Sequence, residues 1–309
     1  MSPVRGALEA ISRSALPRLV AVLPLSATVM DRYVAGETVR DALLAVEELA
    51  AEGIETTVDH LGADPADETQ AIAAVQAYRI LLDKIGDAGL GHRAEVSVSP
   101  TAIGLLLPEG EKLAIENARK ICRAAHSAGT SVTLAMGDHT TVDATLAVAQ
   151  ALRHDFPGTG ITLQAHLHRT ESDCRTLTYA GSRVRICKGA GDAPAEVAFT
   201  DPGDVDRSYV RCMKVLLDGD GYPMLATHDP RLVEIAGALA SRYGRAPGTY
   251  EYQLRHGVRP AEQRRLAASG ERVRVYLPYG EERHRYVAQR LAEHPQSLSQ
   301  VLASLVRRG

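Results

Sequence analysis

The sequence predicts an α/β chain folded as a distorted (β/α)8 TIM barrel, with helices ahead of the first strand and one further helix at the C-terminal end. Three observations carry the prediction. Eight short runs rich in β-branched residues recur along the chain. Longer amphipathic stretches separate them, and no extended polar linker divides the series. At 309 residues the chain can form one α/β barrel or two smaller domains, and the unbroken alternation selects the barrel.

The elements follow in order. Residues 1–50 have mixed helical character and are read as an N-terminal helical segment of a single domain spanning 1–309, with the barrel over 51–309. The strand candidates are IETTVDHLG, AEVSVS, SVTLAM, GITLQAHL, RVRICKGA, YPMLATH, TYEYQL and RVRVYLP. Between them lie helix candidates such as GEKLAIENARKICRAAHSAG and TTVDATLAVAQALRHDF. Strands alternating with helices of this length are parallel and joined by crossovers. The competing architecture, a doubly wound open sheet, usually carries a G-x-G-x-x-G turn after its first strand, and VDHLGADPADE has none. A closed barrel gathers the residues just past each strand: Asp59, Ser99, Gly137 and Asp138, Gln164 to His168, Lys188 to Gly191, Thr227 to Asp229, Arg255 and His256, and Tyr279 with Gly280.

Composition limits the partners. A net charge of −3 gives no electrostatic case for nucleic acid. With aromatic residues at 4% and no Trp, aliphatic side chains carry the interior. Cys122, Cys174, Cys187 and Cys212 are widely spaced, which reads as reduced thiols rather than a metal site. Residues 19–29 imitate a signal sequence, but Pro24 interrupts them, no A-x-A site follows, and Asp31 and Arg32 come directly after. No run reaches the ~18 apolar residues needed to span a bilayer. A cytoplasmic protein is expected, with peripheral docking at a membrane left open.

RVRICKGAG (183–191) is the most informative stretch. Arg185 and Lys188 bring two cations to a strand end, and the glycine admits close backbone approach, a combination suited to an anionic or electron-rich cofactor. His166 and His168 share one face for as long as their strand stays extended. No third ligand is placed beside them, so no metal is predicted. Asp138 is expected to cap the helix that begins at TTVDATL.

Taken together, RICKGA (185–190), LATHDP (225–230), YEYQLRHGVR (250–259), RVYLPYG (274–280) and YVAQRLAEHP (286–295) resemble the FAD-dependent proline dehydrogenase family, in particular its short bacterial members, over nearly the full chain. The resemblance implies FAD as cofactor. It sets Gln164 beside the flavin ring, Arg185 near N5, and Lys188, Gly189 and Ala190 along the ribityl and phosphate region. Thr200, Thr227 and His228 then fall toward the pyrophosphate and adenosine end, and Glu293 at a sugar. A guanidinium near the ring stabilises its anionic reduced form.

The substrate side departs from the family pattern. Ser99 stands where the family has a lysine and Ala135 where it has an aspartate. Gly137 replaces an acid, Gly191 the tyrosine of KGAY, and Gln289 one of two adjacent arginines, while Tyr286 and Arg290 are kept. His166 is a new polar candidate in the pocket, with His168 and the Arg283–His284–Arg285 run nearby. The expected activity is oxidation of the C–N bond of an amino acid, imino acid or modified amine by hydride transfer to flavin N5. Arg185, Tyr286 and Arg290 carry it, and free L-proline is expected to be a poor substrate. Three alternatives stand beside this reading: an L-proline dehydrogenase giving pyrroline-5-carboxylate, oxidation of an N–N or N–O bearing amino-acid derivative in specialised metabolism, and a non-catalytic flavin-binding relative. The partner is a small-molecule amine or amino acid. The electron acceptor is open among quinone, oxygen and a carrier.

Overall fold

The computed structural model describes residues 27–189 and 193–293. Two helices, α1 (Ala27–Tyr33) and α2 (Val39–Ala51), precede the first strand. Eight strands follow: β1 (Glu55–His60), β2 (Ala94–Val98), β3 (Val132–Leu134), β4 (Gly160–Gln164), β5 (Arg183–Cys187), β6 (Tyr222–Ala226), β7 (Glu251–Arg255) and β8 (Val273–Tyr279). Six of them lie within the runs read from the sequence, and β7 and β8 each extend one residue past theirs, to Arg255 and Tyr279. Between them run α3 (Glu68–Asp87), α4 (Gly110–Ser127), α5 (Val142–Asp155), α6 (Thr170–Thr176), α7 (Pro202–Asp218), α8 (Pro230–Arg242) and α9 (Pro260–Ala268), and α10 (Arg283–Glu293) follows the last strand. All strand pairs are parallel, and β1 pairs with β8 from Glu55↔Arg274 to His60↔Tyr279, which closes the cylinder.

Local chemistry fixes the helix starts. Thr38 and Asp41 form a reciprocal capping box at α2. Asp201 and Asp229 accept backbone N–H groups at the starts of α7 and α8, each followed by Pro at the first helical position. Asp138 accepts from the Thr140 N–H at 2.9 Å, so it caps a single 3₁₀ turn (His139–Thr141) that leads into α5 rather than the α-helix itself.

Successive strand residues point to opposite faces, and here the two faces differ in kind. Val58, Val96, Leu163, Ile186, Leu254 and Val275 face outward and join the apolar side chains of the surrounding helices in one continuous core. The inward positions are largely polar. The aliphatic interior expected from composition is therefore a sleeve between strands and helices, with a separate lumen inside the strands.

The lower lumen holds a charged lattice. Glu95 lies 2.6 Å from Arg183, and Glu251 lies 2.8 Å from Arg274. Arg274 also bonds Glu55, which in turn takes two bonds from Arg272 at 2.9 and 3.1 Å. Burial alone would raise the Glu95 carboxyl, but the guanidinium groups of Arg183, Arg274 and Arg185 outweigh it and hold the group well below the usual carboxylate range. Among the described residues no helix is long and apolar enough to cross a membrane.

Candidate active site

The middle layer of the lumen belongs to Arg185. Parity on β5 aims it inward, and its Nη atoms donate to the hydroxyls of Ser97 at 3.2 Å, Thr57 at 3.4 Å and Thr162 at 3.5 Å. Its nearest carboxylate oxygen is Glu95 Oε1 at 3.7 Å, and its buried Nε has no hydrogen-bond partner. A buried guanidinium held by neutral hydroxyls is incompletely compensated, and burial draws its pKa down while Glu95 opposes the shift.

Above Arg185, at the carboxyl ends of β1 and β8, Asp59 accepts from Tyr78 Oη at 2.8 Å and from Tyr276 Oη. The Tyr276 ring stacks on Tyr286 of α10, with centroids 6.5 Å apart and planes inclined by 29°. The Arg290 guanidinium sits over Tyr286 at 5.3 Å from the ring centroid. These four residues form a continuous column from β1 to the last helix. Enclosure raises the Asp59 carboxyl, against the hydroxyls of Tyr276 and Tyr78 and the charges of Arg185 and Arg290, which pull it down. Arg283, at the start of α10, anchors that helix through Asp31 at 3.2 Å and Glu37 at 2.8 Å.

The β4–β5 side carries the second group of predicted residues. Gln164 ends β4, is buried, and its carbonyl accepts from Thr170 Oγ1 at 2.6 Å. Gly189 adopts φ +89°, and a Cβ there would lie 2.0 Å from His166 Nδ1. The backbone approaches the imidazole as only glycine permits. His166 is itself buried, its Nδ1 has no hydrogen-bond partner, and burial lowers its pKa. Lys188 turns outward, to Asp206 at 2.5 Å and Asp229 at 3.3 Å, and so ties the end of β5 to α7 and α8. The guanidinium of Arg231 and Lys188 bring the Asp229 carboxyl down to about 2.

The expected shared face of His166 and His168 does not form. β4 ends at Gln164, because the Leu167 N–H turns back to the Gln164 carbonyl at 3.1 Å. His168 is then captured by the following segment: its N–H donates to Val197 O, its Nε2 lies 3.0 Å from Ala195 O, and its ring meets Phe199 edge-on. The two histidines diverge, one buried and one exposed.

The remaining predicted positions are spread around the mouth. Ser99 Oγ lies 2.9 Å from Thr101 Oγ1, and Ala135 is half-buried with its N–H bonded to Val98 O. Thr227 is buried and accepts from the Asp229 N–H at 3.2 Å. His228 Nε2 accepts from the Arg255 N–H at 2.8 Å, while Thr200 is exposed just ahead of the Asp201 cap. Gln289 is exposed on α10 and Arg290 is half-buried. Ala190 and Gly191 lie outside the described residues, as does the side chain of Glu293 at the end of α10. Sequence reasoning placed Asp59 at a strand end but gave it no role, and it did not select Tyr276. The signal was available in strand parity, since Asp59 falls two residues after lumen-facing Thr57, and Tyr276 two after lumen-facing Arg274.

Comparison with known proteins identifies the family. The family model described as proline dehydrogenase matches residues 42–302. Proline dehydrogenase of Deinococcus radiodurans is 34% identical over 280 residues, covering 90% of each chain. Proline dehydrogenase 1 of Bacillus subtilis is 31% identical over 277 residues, again covering 90% of each. Among solved structures, proline utilization A from Bdellovibrio bacteriovorus superposes with a TM-score of 0.78 at 22% identity, over 85% of this chain and 32% of that one. That likeness is one of fold, and the present chain spans about a third of the larger protein's length. With eight strands closed around a buried arginine and the family's sequence pattern extending across most of the chain, this protein belongs to the proline dehydrogenase family of flavin-dependent oxidoreductases.

Proposed function

We propose that the chain is an FAD-dependent dehydrogenase that oxidises the carbon–nitrogen bond of an amino or imino acid of proline's chemical class. The observation that carries this reading is Arg185, a buried guanidinium whose Nε has no partner and whose other contacts are mostly neutral hydroxyls. Such a group fits an electron-rich ring that becomes anionic on reduction. Bound FAD supplies the acceptor for a hydride leaving the carbon next to the amine nitrogen. Gln164, Arg185 and Gly189 are the residues assigned to the ring side. Ala190, Thr200, Thr227, His228 and Glu293 are assigned to the remainder of the cofactor. Lys188 acts mainly by fixing the end of β5 through Asp206 and Asp229.

On the substrate side, Arg290 orients an anionic group, and the stacked rings of Tyr276 and Tyr286 form a wall held in register by Asp59. Ser99, Ala135, His166, Gly191 and Gln289 are assigned to the rest of the chamber. Ser99, Ala135 and exposed Gln289 bring no charge to it, so Arg290 is the principal cationic arm for a carboxylate. Loss of one partner from a buried charge pair costs about 2–5 kcal/mol, which is why free L-proline is expected to turn over slowly. A second reading, L-proline dehydrogenase giving pyrroline-5-carboxylate, is favoured by the intact Tyr276–Tyr286–Arg290 column and by relatives that bear that name.

One experiment separates the two readings. Purified protein is loaded with FAD, and loss of flavin colour is followed without oxygen as L-proline and other secondary amino acids are added in turn. Slow bleaching by proline and faster bleaching by another member of the series supports the first reading. Robust proline turnover supports the second, and protein that takes up no FAD refutes both. We assign the enzyme to the cytoplasm, with electrons leaving to a quinone, oxygen or a carrier that the same preparation can be used to screen.

A further inference from the structure

The charge of the lumen is unevenly matched, and the mismatch falls at Arg185. Arg183 and Arg274 each have a carboxylate within 2.8 Å, and Arg272 makes two bonds to Glu55. Arg185 has its nearest carboxylate oxygen at 3.7 Å, on Glu95. That carboxylate is fixed from below: Thr133 Oγ1 donates to it at 3.0 Å, Ser131 Oγ at 3.2 Å, and Arg183 holds it at 2.6 Å. It cannot rise to close the gap without breaking these bonds. The hydroxyls of Ser97, Thr57 and Thr162 orient Arg185 but carry no charge to offset it.

We propose that Glu95 is a positioning residue for Arg185. Its anchored carboxylate holds the guanidinium in the middle layer and sets how much positive potential reaches the barrel mouth. The inference rests on the flavin reading given above and adds a control on the ring's electron affinity, exerted from one layer deeper in the barrel. Because Glu95 and Arg185 are both buried in the lumen, a unit charge there is weakly screened. Glu95 contacts neither ring nor substrate and acts only through Arg185.

The test uses the full chain loaded with FAD and reads the affinity of the flavin for sulfite together with its midpoint potential. Both respond to positive charge near the ring, and neither is moved by a residue that merely supports the fold. E95Q is expected to bind sulfite about tenfold more tightly, with the potential shifted positive. Should E95Q fail to fold, R183M gives the converse: it leaves the Glu95 charge less neutralised beneath Arg185, and sulfite affinity falls by about tenfold. Flavin-loaded E95Q or R183M with wild-type sulfite affinity and potential, alongside an R185K control that shifts both, overturns this inference alone. Wild-type protein that takes up no FAD overturns the flavin reading and this inference together.

Discussion

Arg185, in the middle layer, and Arg274, in the lower lattice, are both buried lumen arginines, yet their removal should have opposite consequences. Arg274→Met leaves Glu251 with Gln253 Nε2 at 2.5 Å, Tyr222 Oη at 3.0 Å and a distant guanidinium, Arg272, at 3.8 Å, and it strips one cation from Glu55. Leaving a buried charge without its main partner costs about 3–5 kcal/mol. At about 2 °C per kcal/mol in a chain of this size, the expected loss in Tm is roughly 6–10 °C. Arg185→Met removes a cation that hydroxyls hold at 3.2 to 3.5 Å, and Glu95 keeps Arg183 at 2.6 Å. The lost bonds and the relieved desolvation nearly cancel, so stability changes by no more than about 1 kcal/mol. Flavin reduction, by contrast, falls by about two to three orders of magnitude, the loss typical when one donor to developing negative charge is removed. Urea denaturation followed by circular dichroism, with stopped-flow reduction on the same preparations, measures both quantities. If Arg185→Met is as destabilising as Arg274→Met, or reduces at the wild-type rate, the assignment of Arg185 as an incompletely compensated cation of the site is refuted.

Three further outcomes are expected. Gly189→Ala must relieve a Cβ placed 2.0 Å from His166 Nδ1 at φ +89°, and should lose about 1–3 kcal/mol in chemical denaturation together with FAD retention on gel filtration. Tyr276→Phe leaves Asp59 with Tyr78 as its remaining hydroxyl donor, so we expect a loss of about 1–3 kcal/mol and a rise in KM for the anionic substrate larger than the fall in kcat. Burial lowers the pKa values of His60, His166 and His256, so the folded state binds fewer protons than the unfolded chain. Their contribution to stability is fully present above the ordinary histidine range and is lost as pH falls through the depressed folded values. Tm should therefore drop between pH 7.5 and 5.5, and His166→Asn should flatten that slope.

The fold was readable because each strand kept a β-branched outward face, and Val58, Val96, Ile186 and Val275 announce it regardless of what faces inward. The lumen was harder to see. In RVRIC and RVRVY the alternating arginines look like the solvent side of a half-exposed strand. The residues that turn them inward, Glu95 and Glu251, lie far away in sequence: Glu95 precedes Arg183 by 88 residues. A matching acid at the same parity in AEVSVS and TYEYQL was the available clue. The RICKGA and LATHDP motifs carry the residues assigned to the cofactor side, although Lys188 turns to carboxylates that no local pattern foretells. The length of β4 was misjudged because a turn bond from Leu167 to Gln164, and the capture of His168 by residues 195–199, depend on tertiary partners.

The separation of sleeve from lumen also bears on how such an enzyme acquires new chemistry. Most of the apolar burial that drives folding lies outside the strands, and the ionic lattice sits toward their amino ends, so the rim around Ser99, Ala135 and Gln289 carries little of either. Substitutions there draw on neither reserve. A lineage could therefore trial successive linings for its substrate chamber while the cylinder beneath went on folding unchanged.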